Sequence, residues 1–439
     1  MVGAGPVTTL PPTLRRARRS AQITRQPCDG VGTDPGCHSS RPKRSQLTWW
    51  PPRGPTNMSV TISATALHHY RGLDSSLRLV PYAVHRRLAY RQDALMLATL
   101  DVLLDGDAFV RSNFGGTVRY TQGIAEGLRD AGLDVALLLD RPPKPPARHV
   151  PRIPFAHDVS ARARWWVTDD PARLDLGSAH RVALVVHDVM AFDPLLLVPV
   201  ESAATIPLAE FTDACSRADL VVAVSNSTRA RLVDLLPSLE SPRLCTVPHG
   251  LALGLCDPDD RPRRRDFALH VGGRSGYKRF DLLMEAVASM SDVTLVSVGG
   301  RAEFSEDENR LIARWGLTGR IQSLGYVEDP TLVRLYREAR LVAVTSDQEG
   351  YGLPMREAVA LGAPVVAPDI DVTEEVCGDA AHVFTPGDSF SLARALQQAW
   401  TQPKDVPIET VEACRAGWDK PSRTLIDAMW TVERTERVR

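Results

Sequence analysis

Residues 346–362 read SDQEGYGLPMREAVALG and give the strongest indication of how this chain folds. The apolar runs 340–345 and 364–367 on either side of them are typical of buried strands. Between the two strands we predict a glycine-rich turn and then a helix. This helix opens at Pro354, because proline is favoured in the first helical turn, where its missing N–H costs nothing.

Two acidic residues stand out in this segment. Glu349 falls in the predicted turn and Glu357 in the first part of the predicted helix. Carboxylates in such positions can bind the vicinal hydroxyls of a sugar. The free N–H groups and the positive dipole end of the helix favour a phosphate beside them. A ligand that carries both sugar and phosphate is therefore the natural expectation.

The pattern from Glu349 to Glu357, in the wording EGYGLPMREAVALGAPVVAPD, resembles the E-x7-E signature of family-4 glycosyltransferases. These are retaining enzymes of the GT-B fold. The resemblance implies that Glu349 binds the transferred sugar and Glu357 the nucleotide ribose. It also implies donor contacts from the residues between them, namely Gly350, Tyr351, Gly352 and Leu353. The alternative is an ordinary strand–loop–helix unit with surface acids, which we favour less.

Length and charge restrict the class of protein. A chain of 439 residues is too long for one ordinary core, so two or three domains are expected. Residues 1–95 carry 14 Lys and Arg against 4 Asp and Glu, whereas the remainder carries 38 against 49. Because nucleic-acid enzymes usually place their basic charge in the folded body, this acidic body argues against a nucleic-acid partner.

Compartment and membrane contact follow from composition. The 7 cysteines are scattered without a metal-type pair, which favours reduced thiols in a cytoplasmic protein. The sequence has no apolar run of about 18 residues, so no spanning helix is expected. Residues 62–95 are both basic and apolar, and two interpretations stay open. The favoured one is a helix packed on the first domain, and the other is a helix lying peripherally on the inner face of the membrane.

Alternating strand and helix patterns predict two doubly wound, Rossmann-like domains that face each other across a cleft, the GT-B fold implied by the resemblance. In the first half we predict strands at 96–104, 135–139, 181–186, 220–224 and 244–247. The predicted organisation is a disordered basic extension (1–57), a basic amphipathic segment (58–95), an acceptor-side domain (96–255), a linker (256–265), a nucleotide-sugar-binding domain (266–402) and a C-terminal helix crossing back to the first domain (403–439).

A second cluster, HVGGRSGYKRFDLL at residues 270–283, follows a predicted strand. Gly273 lets the backbone approach a ligand closely, Arg274 can grip a phosphate bidentately, and Lys278 adds a point charge. The cluster resembles the diphosphate-binding element of the family. The alternative is a surface loop with two solvated cations.

The resemblance also implies site residues elsewhere. The Gly115-Gly116 loop after the first strand is similar to the loop that lies against the donor diphosphate, and His187 to the histidine that reaches the donor sugar from the opposite domain. Val327 is similar to a residue against which the donor base packs. Ser225 or Ser227 is expected to cap the following helix. His249 is expected to be structural.

The implied function is retaining transfer of a hexosyl group to a glycan or lipid-linked acceptor. The wording of both clusters resembles that of mannosyltransferases of surface-polysaccharide assembly, which implies GDP-mannose as donor, and UDP-hexoses remain open. No cofactor and no metal site are expected, because Arg274 and Lys278 replace a metal in stabilising the leaving phosphate. Two rivals stay open: another GT-B enzyme such as a nucleotide-sugar epimerase, and a catalytically silent sugar-nucleotide-binding subunit.

Overall fold

We analysed a computed structural model of the chain. The structure describes residues 99–111, 115–139, 155–156, 162–193, 206–239, 243–253, 264–274, 276–404 and 406–437. The predictions for the extension 1–57, for the basic segment 58–95 and for most of the linker 256–265 fall on residues outside this set.

The first domain is built on a parallel sheet with the order β3-β2-β1-β4-β5-β6-β7 among the described residues. The strands are β1 (Leu100–Asp105), β2 (Val135–Leu138), β3 (Phe155–Ala156), β4 (Arg162–Thr168), β5 (Ser178–Val186), β6 (Leu220–Ala223) and β7 (Leu244–Thr246). Strands β2 and β6 are entirely apolar and buried, as expected of strands covered by helices on both faces.

Helices cover both faces of this sheet. They are α1 (Asp107–Arg111), α2 (Gly116–Asp130), α3 (Leu208–Arg217) and α4 (Asn226–Leu235). The hydroxyl of Ser225 accepts a hydrogen bond of 2.9 Å from the backbone N–H of Thr228 and so caps α4. The predicted cap is therefore confirmed for Ser225.

The predicted strands omitted β4, which lies at the centre of the sheet between β1 and β5. Its first half alternates charged and apolar residues: Arg162 and Arg164 are exposed, while Ala163 and Trp165 are buried. The two arginines interrupted the apolar run by which the other strands were recognised, although the alternation itself is a strand pattern.

The second domain has a parallel sheet with the order β10-β9-β8-β11-β12-β13. Its strands are β8 (Arg265–Val271), β9 (Thr294–Val298), β10 (Ile321–Ser323), β11 (Ala339–Ala343), β12 (Val365–Pro368) and β13 (Ala381–Phe384). Its helices are α5 (Phe280–Ala288), α6 (Glu306–Arg314), α7 (Asp329–Glu338), α8 (Leu353–Ala360), α9 (Asp371–Cys377) and α10 (Ser389–Thr401). The prediction of two doubly wound parallel sheets is confirmed.

The second sheet is followed by α11 (Ile408–Arg415) and α12 (Asp419–Arg437), and α12 packs on the first domain. A Cβ atom on Gly123 of α2 would lie 1.9 Å from the indole of Trp418, and one on Gly127 would lie 2.1 Å from Ser422 Oγ. Only glycine therefore allows the two helices to come this close. The predicted crossing of the C-terminal helix to the first domain is confirmed.

Candidate active site

The loop between β11 and α8 carries Glu349 at the carboxyl edge of the second sheet. Its Oε1 accepts hydrogen bonds from Lys278 Nζ at 2.7 Å and from Ser346 Oγ at 2.6 Å. Gly352 ends the loop with φ 79°, a backbone conformation that favours glycine, and α8 begins at the next residue. The carboxylate is therefore held by its neighbours and only 9% of the side chain is exposed.

Lys278 comes from the turn that precedes α5, and two hydrogen bonds tie this turn to the Glu349 loop. The Thr345 hydroxyl donates to the Lys278 carbonyl at 2.8 Å, and the Asp347 N–H donates to the Tyr277 carbonyl at 2.8 Å. Burial acts to lower the pKa of Lys278, but Glu349 and Tyr277 outweigh it and raise that pKa above its usual range. Lys278 is therefore a fixed ammonium beside Glu349, and its predicted contact with a phosphate stays a prediction.

Arg274 lies elsewhere in the same domain and is enclosed. Its guanidinium donates to Glu308 Oε1 at 2.7 Å, to Ser323 Oγ at 2.8 Å and to the carbonyls of Arg301 and Glu303 at 2.7 and 2.8 Å. A longer bond of 3.5 Å joins it to the second oxygen of Glu308, so all five N–H donors are used. With 7% of the side chain exposed, this conformation leaves Arg274 no donor for a phosphate. Its predicted diphosphate contact stays a prediction that requires these bonds to open.

Glu357 lies on the first turns of α8 and is 4% exposed. The Tyr336 hydroxyl donates a hydrogen bond of 2.7 Å to its Oε2. Burial raises the pKa of Glu357, although Arg119 and Tyr336 act in the opposite direction. Arg119 belongs to the first domain and forms an ion pair of 2.6 Å with Asp329 of the second. Glu357, the residue predicted to bind the ribose, therefore lies where the two domains are in contact.

The Glu349 loop also contacts the first domain directly. A Cβ atom on Gly350 would lie 1.9 Å from the carbonyl oxygen of His187. The Gly350 carbonyl accepts hydrogen bonds from Ser225 Oγ at 2.6 Å and from Thr228 Oγ1 at 3.0 Å. The structure therefore brings together His187 and the Glu349 loop, which the resemblance places on opposite sides of the cleft.

The neighbours of Gly350 behave differently from one another. Tyr351 is buried, its ring lies 4.7 Å from that of His249, and its hydroxyl donates to the His249 carbonyl at 3.2 Å. Burial lowers the pKa of His249 well below its usual value, so this imidazole is neutral, consistent with the predicted structural role. A Cβ atom on Gly116 would lie 3.3 Å from Leu353 Cδ1, so the glycine loop opposes the start of α8.

Two further groups of contacts hold the domains together. Gln348 bonds to Arg231 and to Asp193, and Arg231 itself lies 3.3 Å from Asp193. On α9, the Glu375 carboxylate accepts the backbone N–H groups that open α4, at 2.9 and 3.1 Å. An acid of one domain thereby caps a helix of the other.

The remaining predicted residues lie along the same edges. Gly273 follows β8, and a Cβ atom added there would meet open space. Gly115 precedes α2 with φ 126°. Val327 follows β10 and is half-buried against the second core.

Among the residues that the structure describes, no group of three or more His, Cys, Asp or Glu side chains is arranged to hold a metal ion. In the same part of the chain, no helix combines the length and the apolar character that crossing a bilayer requires.

Sequence reasoning missed several residues at the domain contact. Arg119 pairs with Asp329, and Glu375 contacts the start of α4, only because the tertiary fold brings distant segments together. No local sequence pattern identifies these residues. Asp169 directly follows β4, which the sequence did not predict, so its place at the carboxyl edge of the first sheet is visible only in the structure. Tyr336 belongs to the apolar face of α7, where an aromatic residue reads as core.

Part of the chain is similar in sequence to proteins of known family. Residues 266–402 match the family described as Glycosyl transferases group 1. The chain is 30% identical over 171 residues to the O-antigen chain mannosyltransferase B of Escherichia coli, a match covering 37% of this chain and 45% of that protein. The matched segments span about half the length of such curated relatives.

Two solved structures have the same fold over nearly their full length. Sucrose-phosphate synthase from Thermosynechococcus elongatus superposes with a TM-score of 0.57 and 19% identity, over 77% of this chain and 98% of that one. Anabaena HepE in complex with UDP and glucose gives a TM-score of 0.55 and 17% identity, over 77% and 99%. Residues 266–402 thus match the Glycosyl transferases group 1 family, and the chain that contains them has the two-domain GT-B fold.

Proposed function

We propose that this protein transfers a hexosyl group, mannose from GDP-mannose in the first instance, to a glycan or lipid-linked acceptor with retention of configuration and without a divalent metal. The observation that carries the proposal is the Lys278–Glu349 pair, 2.7 Å apart, set beside the backbone of His187 in the opposite domain. The relatedness to a mannosyltransferase supports the choice of mannose. A UDP-hexose is the alternative donor, because Anabaena HepE is described in complex with UDP and glucose.

In this proposal the Lys278 ammonium stabilises the charge that grows on the departing diphosphate. The N-terminus of α8, with N–H groups that have no helical partner, offers further donors to the same phosphates. When the donor binds, its diphosphate takes over part of the charge pairing that Glu349 provides in the structure. This releases the Glu349 carboxylate for the hydroxyls of the transferred sugar.

Glu357 is assigned to the nucleotide ribose. Only one of its oxygens receives the Tyr336 hydroxyl, so the other can accept a bond from a ribose hydroxyl. The contacts of the Glu349 loop with Ser225, Thr228 and His187 close the domains around the reacting groups. Such closure excludes water and limits hydrolysis of the donor.

The test uses the full chain with GDP-mannose or UDP-glucose, octyl α-mannoside as acceptor probe, and EDTA in parallel reactions. We expect transfer or slow donor hydrolysis with one nucleotide sugar, an α-linked product by NMR, and no loss on chelation. Absence of turnover with both donors contradicts the enzyme, and loss with EDTA contradicts metal independence. Lys278→Ala should abolish turnover, whereas Lys420→Ala, on an exposed position of α12, serves as the matched control.

A further inference from the structure

An acidic side chain lies beside His187 at the carboxyl edge of the first sheet. Strands β4 and β5 are parallel neighbours, and Thr168 at the end of β4 pairs with Leu184 of β5. The residues that follow these strands therefore meet, and Asp169 Oδ2 lies 3.6 Å from His187 Nε2. Both side chains are largely enclosed, with 9% of Asp169 and 21% of His187 exposed.

The Nε2 atom of His187 is buried and has no hydrogen-bond partner in the described structure. Buried polar atoms are nearly always bonded, so this exception needs an explanation. A separation of 3.6 Å is slightly too long for a hydrogen bond. Hydrogen bonds of catalytic groups are often long in the absence of substrate and shorten when the substrate is bound.

Hydrogen bonds hold the turn that carries Asp169 in place. Asp105 Oδ2 accepts hydrogen bonds of 2.8 Å from Thr168 Oγ1 and from Arg173 Nε. The N–H of Asp170 donates to Thr168 Oγ1 at 3.1 Å. The residues before and after Asp169 are thus fixed to the end of β1, so the carboxylate is presented from a stable position.

Two neighbouring aromatic rings restrict the motion of the His187 imidazole. The ring of Tyr120 stands edge-on to it, with centroids 5.3 Å apart, and the ring of His249 lies 6.1 Å away. Tyr120 and Asp169 also line a small cavity at the ends of the strands. The Asp169 carboxylate therefore borders free space in which it can adjust its position.

We propose that Asp169 is a positioning residue for His187: its carboxylate accepts a hydrogen bond from Nε2–H and fixes the tautomer and orientation of the imidazole. With the proton held on Nε2, Nδ1 keeps its lone pair and the ring meets the transferred sugar in one orientation. The contact with sugar rests on the proposed function. The effect of Asp169 on the imidazole does not.

A double-mutant cycle tests whether Asp169 acts through His187. We expect Asp169→Ala to lower kcat by about 10–100-fold, the range seen when an outer positioning group is lost, with less than about threefold change in the donor Kd. In the His187→Ala background the same substitution should change kcat by less than about twofold. Additive losses would mean that Asp169 acts independently, and the proposal would be wrong. Asp130→Ala, an exposed acid of the same domain, is the matched control.

A second measurement does not depend on turnover. The imidazole nitrogen resonances of histidine-labelled protein, with His187 assigned through His187→Gln, report the tautomer directly. We expect the Nε2–H form in the native chain and a mixture of tautomers in Asp169→Ala, with Asp169→Glu restoring part of the native signal. Unchanged His187 resonances in Asp169→Ala would overturn the proposal. A shifted tautomer in a protein that turns over no donor would retain it and refute the proposed function instead.

Discussion

Lys278 Nζ and Glu349 Oε1 lie 2.7 Å apart in a partly buried position, and Glu349 is the main charged partner of Lys278. Breaking a buried pair on one side leaves an uncompensated charge and costs about 3–5 kcal/mol, and partial exposure places this pair at the lower end of that range. The residues that we assign to the diphosphate and to the transferred sugar are therefore coupled energetically before any donor binds.

We accordingly expect Lys278→Met and Glu349→Gln each to lower the unfolding free energy by about 3 kcal/mol. The double variant should recover much of this loss, because neither charge is then left alone. Thermal and denaturant unfolding of the four proteins measures the coupling. Additive losses would contradict the pairing, and all three variants should lack transfer activity.

The enclosed guanidinium of Arg274 predicts a structural effect. Arg274→Lys keeps the charge but cannot reproduce five hydrogen bonds in a planar arrangement, so we expect about 1–3 kcal/mol of destabilisation from acceptors left without donors. Arg301→Lys, on an exposed side chain of the same domain, should leave the melting temperature unchanged. A native melting temperature combined with weaker donor binding in Arg274→Lys would restore the original assignment of Arg274 to the diphosphate.

We expect that any residue larger than glycine at position 350 prevents the two domains from closing. In Gly350→Ala the added Cβ atom would meet the His187 carbonyl, a backbone atom that cannot rotate away. We expect at least a 100-fold loss of kcat, since such misplacement costs about 10²-fold, together with a larger radius of gyration by X-ray scattering. Gly417→Ala, where the Cβ atom has open space, is the control. A Gly350→Ala protein with native turnover would show that closure does not need this contact.

We expect the contact between Glu375 and α4 to make a measurable contribution to closure of the two domains. Its carboxylate caps α4 from the other domain, and losing such a cap costs about 1 kcal/mol, or roughly fivefold in the population of the closed form. Glu375→Ala should therefore raise the donor KM about fivefold with little change in melting temperature. Glu374→Ala, an exposed neighbour on the same helix, should do neither. Equal KM values for the two variants would contradict the role of the cap.

Glu357 predicts a pH dependence of stability. Its pKa is raised by burial, so the folded protein holds this proton more tightly than the unfolded chain. The contribution of Glu357 to stability is greatest near or below the ordinary glutamate pKa and falls as the pH rises through the folded value. Glu357→Gln should remove this fall, so between pH 4.5 and pH 8 its stability should gain on that of the native chain. A constant difference between the two would contradict the raised pKa.

The same variant separates stability from binding. The amide oxygen of Glu357→Gln can still accept the Tyr336 hydroxyl, so the fold should be kept. Donor affinity should nevertheless fall, because an uncharged group accepts ribose hydroxyls less strongly. Native donor affinity in Glu357→Gln would argue against the ribose assignment.

The sequence predicted those parts of the site that local patterns encode. Glu349, Lys278 and the opening of α8 follow from a strand, a glycine turn and a helix start that are contiguous in the chain. The contacts of Arg274 with Glu308 and of Tyr351 with His249 were not predicted, because these partners come from other elements. The predicted donor contacts of Arg274 and Tyr351 stay predictions.

Much the same holds for the fold. Apolar runs and turn residues predicted five of the seven strands described in the first sheet, because parallel strands covered on both faces are continuously hydrophobic. Strand β4 was not predicted because its exposed arginines interrupt such a run. Asp169, which follows β4, was therefore not recognised as a residue at the edge of the sheet. Contacts between domains, such as Arg119 with Asp329, join residues far apart in the chain and leave no periodic signal.

Trp418 wedged against Gly123 has a consequence for how the protein is made. The core of the first domain includes Leu425 and Met429, which follow both sheets in the chain. Domains that fold as independent units can do so in order of synthesis. Here the first domain acquires its last layer only after the second sheet has been synthesised, so a ribosome that stalls after β13 would release a chain with both sheets and an exposed apolar face where α12 belongs.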